Sequence, residues 1–211
     1  MVKTITLVTI GPEYDKSMFL YHDAEISADL FEKVITTKYP CNSIRLRGHE
    51  STAENIIKTI SSLSSLTESD CERIIIYYSG HGNIAGKKEY WQTPSGNVDQ
   101  IKIAELINTL KPLVIIISDS CDSEHMVNAN FIRHQYISLG ATKQNQDALM
   151  SGDGGLFTLE LTRIIGDLHE DFTFSELFDK IFDDKIEVES FSVGFSSSDI
   201  FTMKFFPDNH E

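Results

Sequence analysis

Residues 74–82 read IIIYYSGHG, and residues 116–124 read IISDSCDSE. In each stretch an apolar, isoleucine-rich run is followed at once by small polar residues around one reactive group, His81 in the first and Cys121 in the second. A short apolar run that stops at turn-forming residues is typical of a buried strand. In parallel α/β sheets, ligands and chemistry gather at the carboxyl ends of the strands. The two stretches therefore predict a shared site for His81 and Cys121, provided that their strands are neighbours.

The rest of the chain alternates between strand and helix patterns. We predict helices over 23–37, from a capping box that begins at Ser51, after an N-cap at Asp99, over about 156–165, and from a second capping box at Thr173. The predicted strands cover residues 4–10, 43–47, 73–78, 113–118, 135–141 and 199–206, with a loop or hairpin at 87–98. This alternation predicts an α/β sandwich with a largely parallel central sheet. Because no linker or repeat interrupts it, we expect one domain over residues 1–211.

Composition excludes several classes of function. The 211 residues include 18 Lys and Arg against 32 Asp and Glu, a net charge of −14, which argues against nucleic acid as the main ligand. Three cysteines form no disulfide framework or metal-binding pair, so a reducing compartment is expected. The N-terminal apolar run has strand length and lacks a cleavage site, and no run is long enough to span a bilayer. We therefore expect a cytoplasmic protein.

The residues around His81 and Cys121 suit nucleophilic catalysis. A thiol needs a base to act as a nucleophile near neutral pH, and imidazole has the appropriate pKa. The backbone N–H groups of Gly82 and Cys121 could stabilise an oxyanion. From these residues alone a dyad competes on about equal terms with a buried structural cysteine and a turn histidine. Nucleotide-binding glycine loops, the serine hydrolase elbow and metal-ligand histidine spacing are absent, and a signalling receiver with Asp119 as acceptor is a remote alternative.

Four motifs together resemble the caspase-like cysteine peptidases, most closely the metacaspases. They are Tyr77–Gly82, Asp119–Cys121, His22–Ala24 before the first helix, and the Gly-Gly-Leu-Phe-Thr segment at 154–158. Their order and approximate spacing agree from about residue 4 to residue 166. The resemblance implies a three-layer caspase-like sandwich, in which a central, mostly parallel six-stranded sheet is flanked by helices.

The resemblance also implies a role for individual residues. Cys121 would attack the scissile carbonyl, His81 would act as acid and base, and the amides of Gly82 and Cys121 would form the oxyanion hole. Asp23 and Asp119, with Ser79 at the wall, would form an acidic pocket that selects Arg or Lys before the cleaved bond. Without the resemblance, we favour the explanation that Asp23 is a carboxylate stabilised by a helix N-terminus. The corresponding alternative for Asp119 is a carboxylate that orders the Cys loop.

The chain departs from the metacaspase pattern after the nucleophile. Metacaspases commonly continue with His-Ser-Gly, whereas this chain has Asp122, Ser123 and Glu124. The missing glycine and the added carboxylates favour an alternative, an inactive caspase-fold pseudoenzyme that binds proteins.

Other family properties lead to weaker expectations. The calcium site of many metacaspases is poorly matched by Glu89, Asp99 and Glu105, so no metal or other cofactor is expected. We expect a monomer that acts on proteins or peptides with basic residues. Arg133 and Lys143 are candidate sites of self-cleavage, and Trp91 is expected either to line a substrate subsite or to pack on the surface.

Overall fold

A computed structural model describes residues 4–14, 22–86, 88–127, 131–183 and 191–208. Among these residues, six strands form a central sheet in the order β2-β1-β3-β7-β8-β9, and three form a small separate sheet in the order β4-β5-β6. The strands are β1 (Ile5–Pro12), β2 (Cys41–Gly48), β3 (Arg73–Ser79), β4 (Gly82–Ala85), β5 (Lys88–Thr93), β6 (Gly96–Asp99), β7 (Leu113–Asp119), β8 (Tyr136–Gly140) and β9 (Ser192–Phe195). The helices are α1 (Asp23–Lys38), α2 (Ala53–Ser62), α3 (Gln100–Ile107), α4 (Leu156–Asp167) and α5 (Phe174–Asp183).

The central sheet is parallel except at one edge. Strands β2, β1, β3, β7 and β8 pair in parallel, and β9 joins β8 in the antiparallel direction. In β1, β3, β7 and β8 every residue is buried, as expected for strands covered on both faces. The predicted mostly parallel six-stranded sheet is confirmed, and it places the ends of β3 and β7 side by side.

Two apolar cores cover the two faces of the sheet and define three layers. Successive side chains of a strand point to opposite faces, so Ile75 and Tyr77 pack into one core while Ile74 and Ile76 pack into the other. The first core contains side chains of α1, α4 and α5, and the second contains side chains of α2, α3 and the small sheet. The predicted three-layer sandwich is confirmed.

Helix caps agree with the sequence in two of three predicted places. The Asp99 side chain accepts a hydrogen bond from the Lys102 amide, 2.8 Å, at the start of α3. The capping box of Thr173 and Glu176 forms in both directions. The capping box predicted at Ser51 is wrong by one residue, because the N-cap of α2 is Thr52, whose hydroxyl accepts from the amide of Asn55.

The strand predicted over 199–206 is wrong. That segment begins as a short 3₁₀ helix, Ser198–Thr202, and the last strand of the sheet, β9, precedes it. The Ser197 hydroxyl accepts from the Asp199 amide and starts the turn. Phe205 and Phe206 are buried against Phe172, so their apolarity reflects core packing and not strand pairing.

The predicted excursion at 87–98 is a hairpin of the small sheet, in which β5 pairs with both β4 and β6.

In the described part of the chain, no helix is long and apolar enough to cross a membrane.

Candidate active site

The carboxyl ends of β3 and β7 lie next to each other. Ser79 and Asp119 are register partners, and the Gly80 amide donates to the Asp119 carbonyl, 3.2 Å. His81 and Cys121 each follow this aligned pair by two residues. The topology thus brings the two predicted catalytic loops to one point on the sheet edge.

The His loop and the Cys loop are in contact at Gly82. A Cβ atom on Gly82 would lie 1.9 Å from the carbonyl oxygen of Cys121, far inside van der Waals contact. Only glycine allows the two backbones to approach this closely. The glycine after His81 is therefore required by the junction of the two loops.

Two tyrosine hydroxyls hold the backbone of His81. The Tyr14 hydroxyl accepts from the His81 amide, 2.8 Å, and donates to the Gln92 carbonyl, 2.8 Å. The Tyr78 hydroxyl lies 2.8 Å from the His81 carbonyl, which also accepts from the Gln92 amide, 2.9 Å. Sequence reasoning missed Tyr14, which follows β1 and is distant from His81 along the chain.

The His81 side chain is half-buried and has a free ring nitrogen. The imidazole packs edge-on against Tyr14, with 4.5 Å between ring centroids. Burial lowers the pKa of His81, so the imidazole is neutral at pH 7. Its buried Nε2 has no hydrogen-bond partner among the described residues. A neutral imidazole with such a nitrogen can take up or deliver a proton.

The Cys121 sulfur is half-buried and accepts a hydrogen bond from the Ala148 amide, 3.3 Å. Burial raises the pKa of Cys121; the Ala148 hydrogen bond opposes this rise, and the carboxylates of Asp147 and Asp122 add to it. With the thiol pKa raised and the imidazole pKa lowered, the resting pair is a thiol and a neutral imidazole.

Strand β5 of the small sheet supports the loop that carries Cys121. The Trp91 indole N–H donates to the Ser118 hydroxyl, 2.8 Å, which lies 3.0 Å from the hydroxyl of Ser120. Trp91 is fully buried, so its predicted position at a subsite or on the surface is wrong. The buried Glu89 carboxylate accepts from the His125 amide, 2.6 Å, and pairs with the His125 ring at 3.1 Å.

The acidic residues considered for calcium have separate partners. Glu89 binds His125, Asp99 caps α3, and Glu105 pairs with Lys102 on the surface. Within the described ranges, no group of three or more His, Cys, Asp or Glu side chains is arranged to hold a metal ion.

Asp119 is fully buried and connects β7 to the N-terminus of α4. One carboxylate oxygen accepts from the hydroxyl of Thr158, and the carboxylate also accepts from the Thr158 amide. The Gly155 N-cap of α4 has no side-chain cap of its own. Burial raises the pKa of Asp119 to about 6, although the Thr158 hydrogen bonds oppose the rise. The other oxygen, Oδ1, has no partner among the described residues.

The other two residues of the predicted specificity pocket are also buried. The Ser79 hydroxyl has no hydrogen-bond partner in the described part of the chain. Asp23 begins α1 and lies one turn before Ser27, whose hydroxyl accepts from the Gly155 amide, 2.8 Å. Asp119 is thus hydrogen-bonded to α4, and Asp23 lies on α1, whose Ser27 is hydrogen-bonded to the start of α4.

Asp122, directly after Cys121, and Asn145, which it contacts, both have left-handed backbone. Asp122 has φ +50° and Asn145 has φ +63°, a conformation that Asp and Asn tolerate better than most residues. The Asp122 carboxylate accepts from the Asn145 amide, 2.6 Å, and the Glu124 carboxylate accepts from the Gln144 amide, 3.0 Å. Both self-cleavage candidates, Arg133 and Lys143, are exposed.

Comparison with known proteins assigns the family. A model of the caspase domain, within the C14 peptidases, matches residues 22–190, and the chain therefore belongs to the caspase-domain family. The fold resembles the crystal structure of protein GSU0716 from Geobacter sulfurreducens, with a TM-score of 0.77 and 15% sequence identity, over 98% of this chain and 100% of that one. No curated protein matches the sequence.

Proposed function

We propose that the protein is a metacaspase-like cysteine endopeptidase that hydrolyses peptide bonds after Arg or Lys with a Cys121–His81 dyad. The observation that carries this proposal is the contact between the two loops, where Gly82 meets the Cys121 carbonyl beside the aligned ends of β3 and β7. Two reactive residues that follow adjacent parallel strands at matching positions meet a first requirement of covalent catalysis, which is that the nucleophile and its base belong to neighbouring loops.

The reaction follows from the two protonation states. His81 takes the thiol proton of Cys121, and the thiolate attacks the carbonyl carbon to form a tetrahedral oxyanion held by the amides of Gly82 and Cys121. The C–N bond then breaks, the leaving amine takes the proton from His81, and a thioester remains. Water gives a proton to His81 and attacks the thioester. The C–S bond breaks and the sulfur regains the proton.

The preference for basic residues is supported by unpartnered acceptors beside the dyad. Asp119 Oδ1 and Ser79 Oγ are buried and lack partners among the described residues. A buried acceptor without a donor is unfavourable, and a guanidinium or ammonium group would satisfy both atoms. Asp23 would add a second negative charge from the start of α1, which is buried at the same end of the sheet.

Short peptides that end in Arg, Lys, Asp or norleucine before a fluorogenic amide test this proposal. We expect turnover after Arg and Lys, loss of turnover in Cys121→Ala and His81→Ala, and loss of the basic preference in Asp119→Asn. Turnover after Asp but not after Arg would refute the acidic pocket while leaving the peptidase intact.

A catalytically silent, protein-binding member of the family is the second candidate. It is favoured by the raised thiol pKa of Cys121 and by the carboxylates of Asp122 and Asp147 near the sulfur. An electrophilic peptide with Arg at its reactive end separates the two functions. If it never labels Cys121 between pH 5 and 9, with or without calcium, the binding role is the better account.

The proposal also covers the location, oligomeric state, substrates and cofactor needs of the protein. We propose a cytoplasmic monomer that acts on proteins or peptides with basic residues and needs no metal or other cofactor. The isolated positions of Glu89, Asp99 and Glu105, each with its own partner, support independence from calcium. Equal turnover in calcium and in a chelator, together with a monomeric mass in solution, is the expected result.

A further inference from the structure

A short segment after β8 lies against the nucleophile. We call residues 143–148 the strap. The Ala148 amide donates to the Cys121 sulfur, 3.3 Å, and the carboxylate of the preceding residue, Asp147, is near enough to raise the pKa of the thiol. One strap residue therefore contacts the atom that would attack a substrate, and a second brings a negative charge close to it.

Three further hydrogen bonds attach the strap to the loop that follows the nucleophile. The Glu124 carboxylate accepts from the Gln144 amide, 3.0 Å, and the Asp122 carboxylate accepts from the Asn145 amide, 2.6 Å. The Asp122 amide donates to the Gln146 carbonyl, 3.2 Å. Asp122 and Glu124, which depart from the family pattern, are thus the residues whose side chains hold the strap.

The attachment joins two residues with left-handed backbone. Asp122 and Asn145 both have positive φ, a conformation that Asp and Asn adopt more readily than most residues. The Asp122 carboxylate accepts from the Asn145 amide, so the two turns are linked directly.

We propose that the strap masks the nucleophile, with the Ala148 amide on the sulfur and the Asp147 carboxylate close by, until the strap moves. The inference rests on the proposed peptidase function. The Ala148 amide holds the strap against the sulfur, and the Asp122 and Glu124 carboxylates hold it against the Cys121 loop. A substrate carbonyl can reach the sulfur only after the strap withdraws.

Charged and titratable groups reach Cys121 from three elements. Asp147 belongs to the strap, Asp122 to the nucleophile's own loop, and the Tyr78 phenol to β3. Two of the three are carboxylates, and both disfavour the thiolate. Asp147 is the one that withdraws with the strap, so its removal reproduces part of the unmasked state.

The charge of Asp147 is tested by the pH dependence of Cys121 alkylation. We expect Asp147→Asn to lower the midpoint of the iodoacetamide rate curve by about half a unit to one unit, because an exposed carboxylate near a thiol has an effect of this order. The rate at pH 7 should rise about twofold to fourfold, since a thiolate of lower pKa is also less nucleophilic. Asp153→Asn removes an exposed carboxylate from the same connection and should leave the midpoint unchanged.

The role of the strap as a barrier over the Cys121 sulfur is tested by Glu124→Gln. This substitution weakens the attachment of the strap at Gln144 without removing a group at the sulfur. We expect a higher plateau rate of alkylation at high pH with an unchanged midpoint, because access and not ionisation has changed. Circular dichroism and thermal unfolding verify that each variant is folded. An unchanged midpoint in Asp147→Asn overturns the role of that carboxylate, and an unchanged plateau in Glu124→Gln overturns the role of the strap as a cover.

Turnover of an Arg peptide separates this inference from the proposed function. If the variants are alkylated faster but neither they nor the wild type cleave any peptide, the strap masks a thiol that is not a peptidase nucleophile, and the proposed function fails. If the wild type cleaves as fast as Asp147→Asn and Glu124→Gln, the peptidase stands and the masking role fails.

Discussion

Replacing Asp119 with Asn should stabilise the protein at neutral pH. The pKa of this fully buried carboxyl is raised from its ordinary value of 3.8 to about 6, with burial as the main cause. A group whose pKa is higher in the folded state binds its proton more tightly there. Folding is therefore most favoured below the ordinary pKa, and that stability is lost as the pH rises through about 6. A difference of about two pKa units corresponds to about 3 kcal/mol.

The asparagine keeps the hydrogen bonds and removes the charge. Its side-chain oxygen can still accept from the hydroxyl and the amide of Thr158. The free energy of unfolding of Asp119→Asn should therefore exceed that of the wild type by an amount that grows with pH. We expect the excess to increase by about 2 kcal/mol between pH 4.5 and 7.5, which is most of the total linkage of about 3 kcal/mol.

Urea unfolding, followed through the fluorescence of the single tryptophan, Trp91, measures this difference at each pH. Asp153→Asn is the control, because an exposed carboxylate should show no such trend. If the difference in the free energy of unfolding between Asp119→Asn and the wild type is the same from pH 4.5 to 7.5, the reasoning is refuted, because burial then does not disfavour the charged form of Asp119. A stabilised variant that also loses its preference for Arg peptides would show that this charge is retained for binding and not for folding.

The remaining predictions concern the two loops. Gly82→Ala should abolish the alkylation of Cys121 by an Arg-containing electrophilic peptide, because its Cβ would lie 1.9 Å from the Cys121 carbonyl oxygen. Gly166→Ala, in the last turn of α4 with the nearest atom 3.8 Å away, should instead raise the stability in thermal unfolding, by no more than the roughly 0.5–1 kcal/mol typical of a helix interior. Tyr14→Phe should lower kcat about tenfold with little change in KM, because it removes the hydroxyl that holds the His81 amide while the ring stays in place. An increase in KM of similar size would instead point to a role of Tyr14 in substrate binding.

Much of the fold could be predicted from sequence because its strands are buried on both faces. Runs such as 74–78 and 113–117 have no polar face, and that pattern marks central strands of a parallel sheet. The segment at 199–206 is also apolar, but its phenylalanines fill a core between helices instead of pairing in the sheet. Apolar composition alone does not distinguish these two kinds of burial.

The parts of the site that could not be predicted depend on contacts between distant segments. Tyr14 reaches the His81 amide from the end of β1, and nothing in the residues around it marks that role. Trp91 lies in a polar stretch, yet it is buried because the indole stacks on Tyr78 with 4.6 Å between ring centroids. In both cases the deciding partner is set by the sheet topology, which places β1, β3 and the small sheet around one loop.

The pKa directions at Cys121 and His81 are consistent with a role for Asp122 and Glu124 in holding the strap. Burial raises the pKa of Cys121 and lowers that of His81, so transfer of the proton between them is unfavourable in the proposed masked arrangement. Asp122 and Glu124 do not improve the nucleophile, but they do hold the strap that contacts it. A substrate whose basic side chain pairs with Asp119 would supply binding energy at the moment when the strap must be displaced. Asp122 and Glu124 disfavour catalysis while the strap is in place. They are therefore compatible with a peptidase in which substrate binding itself displaces the strap.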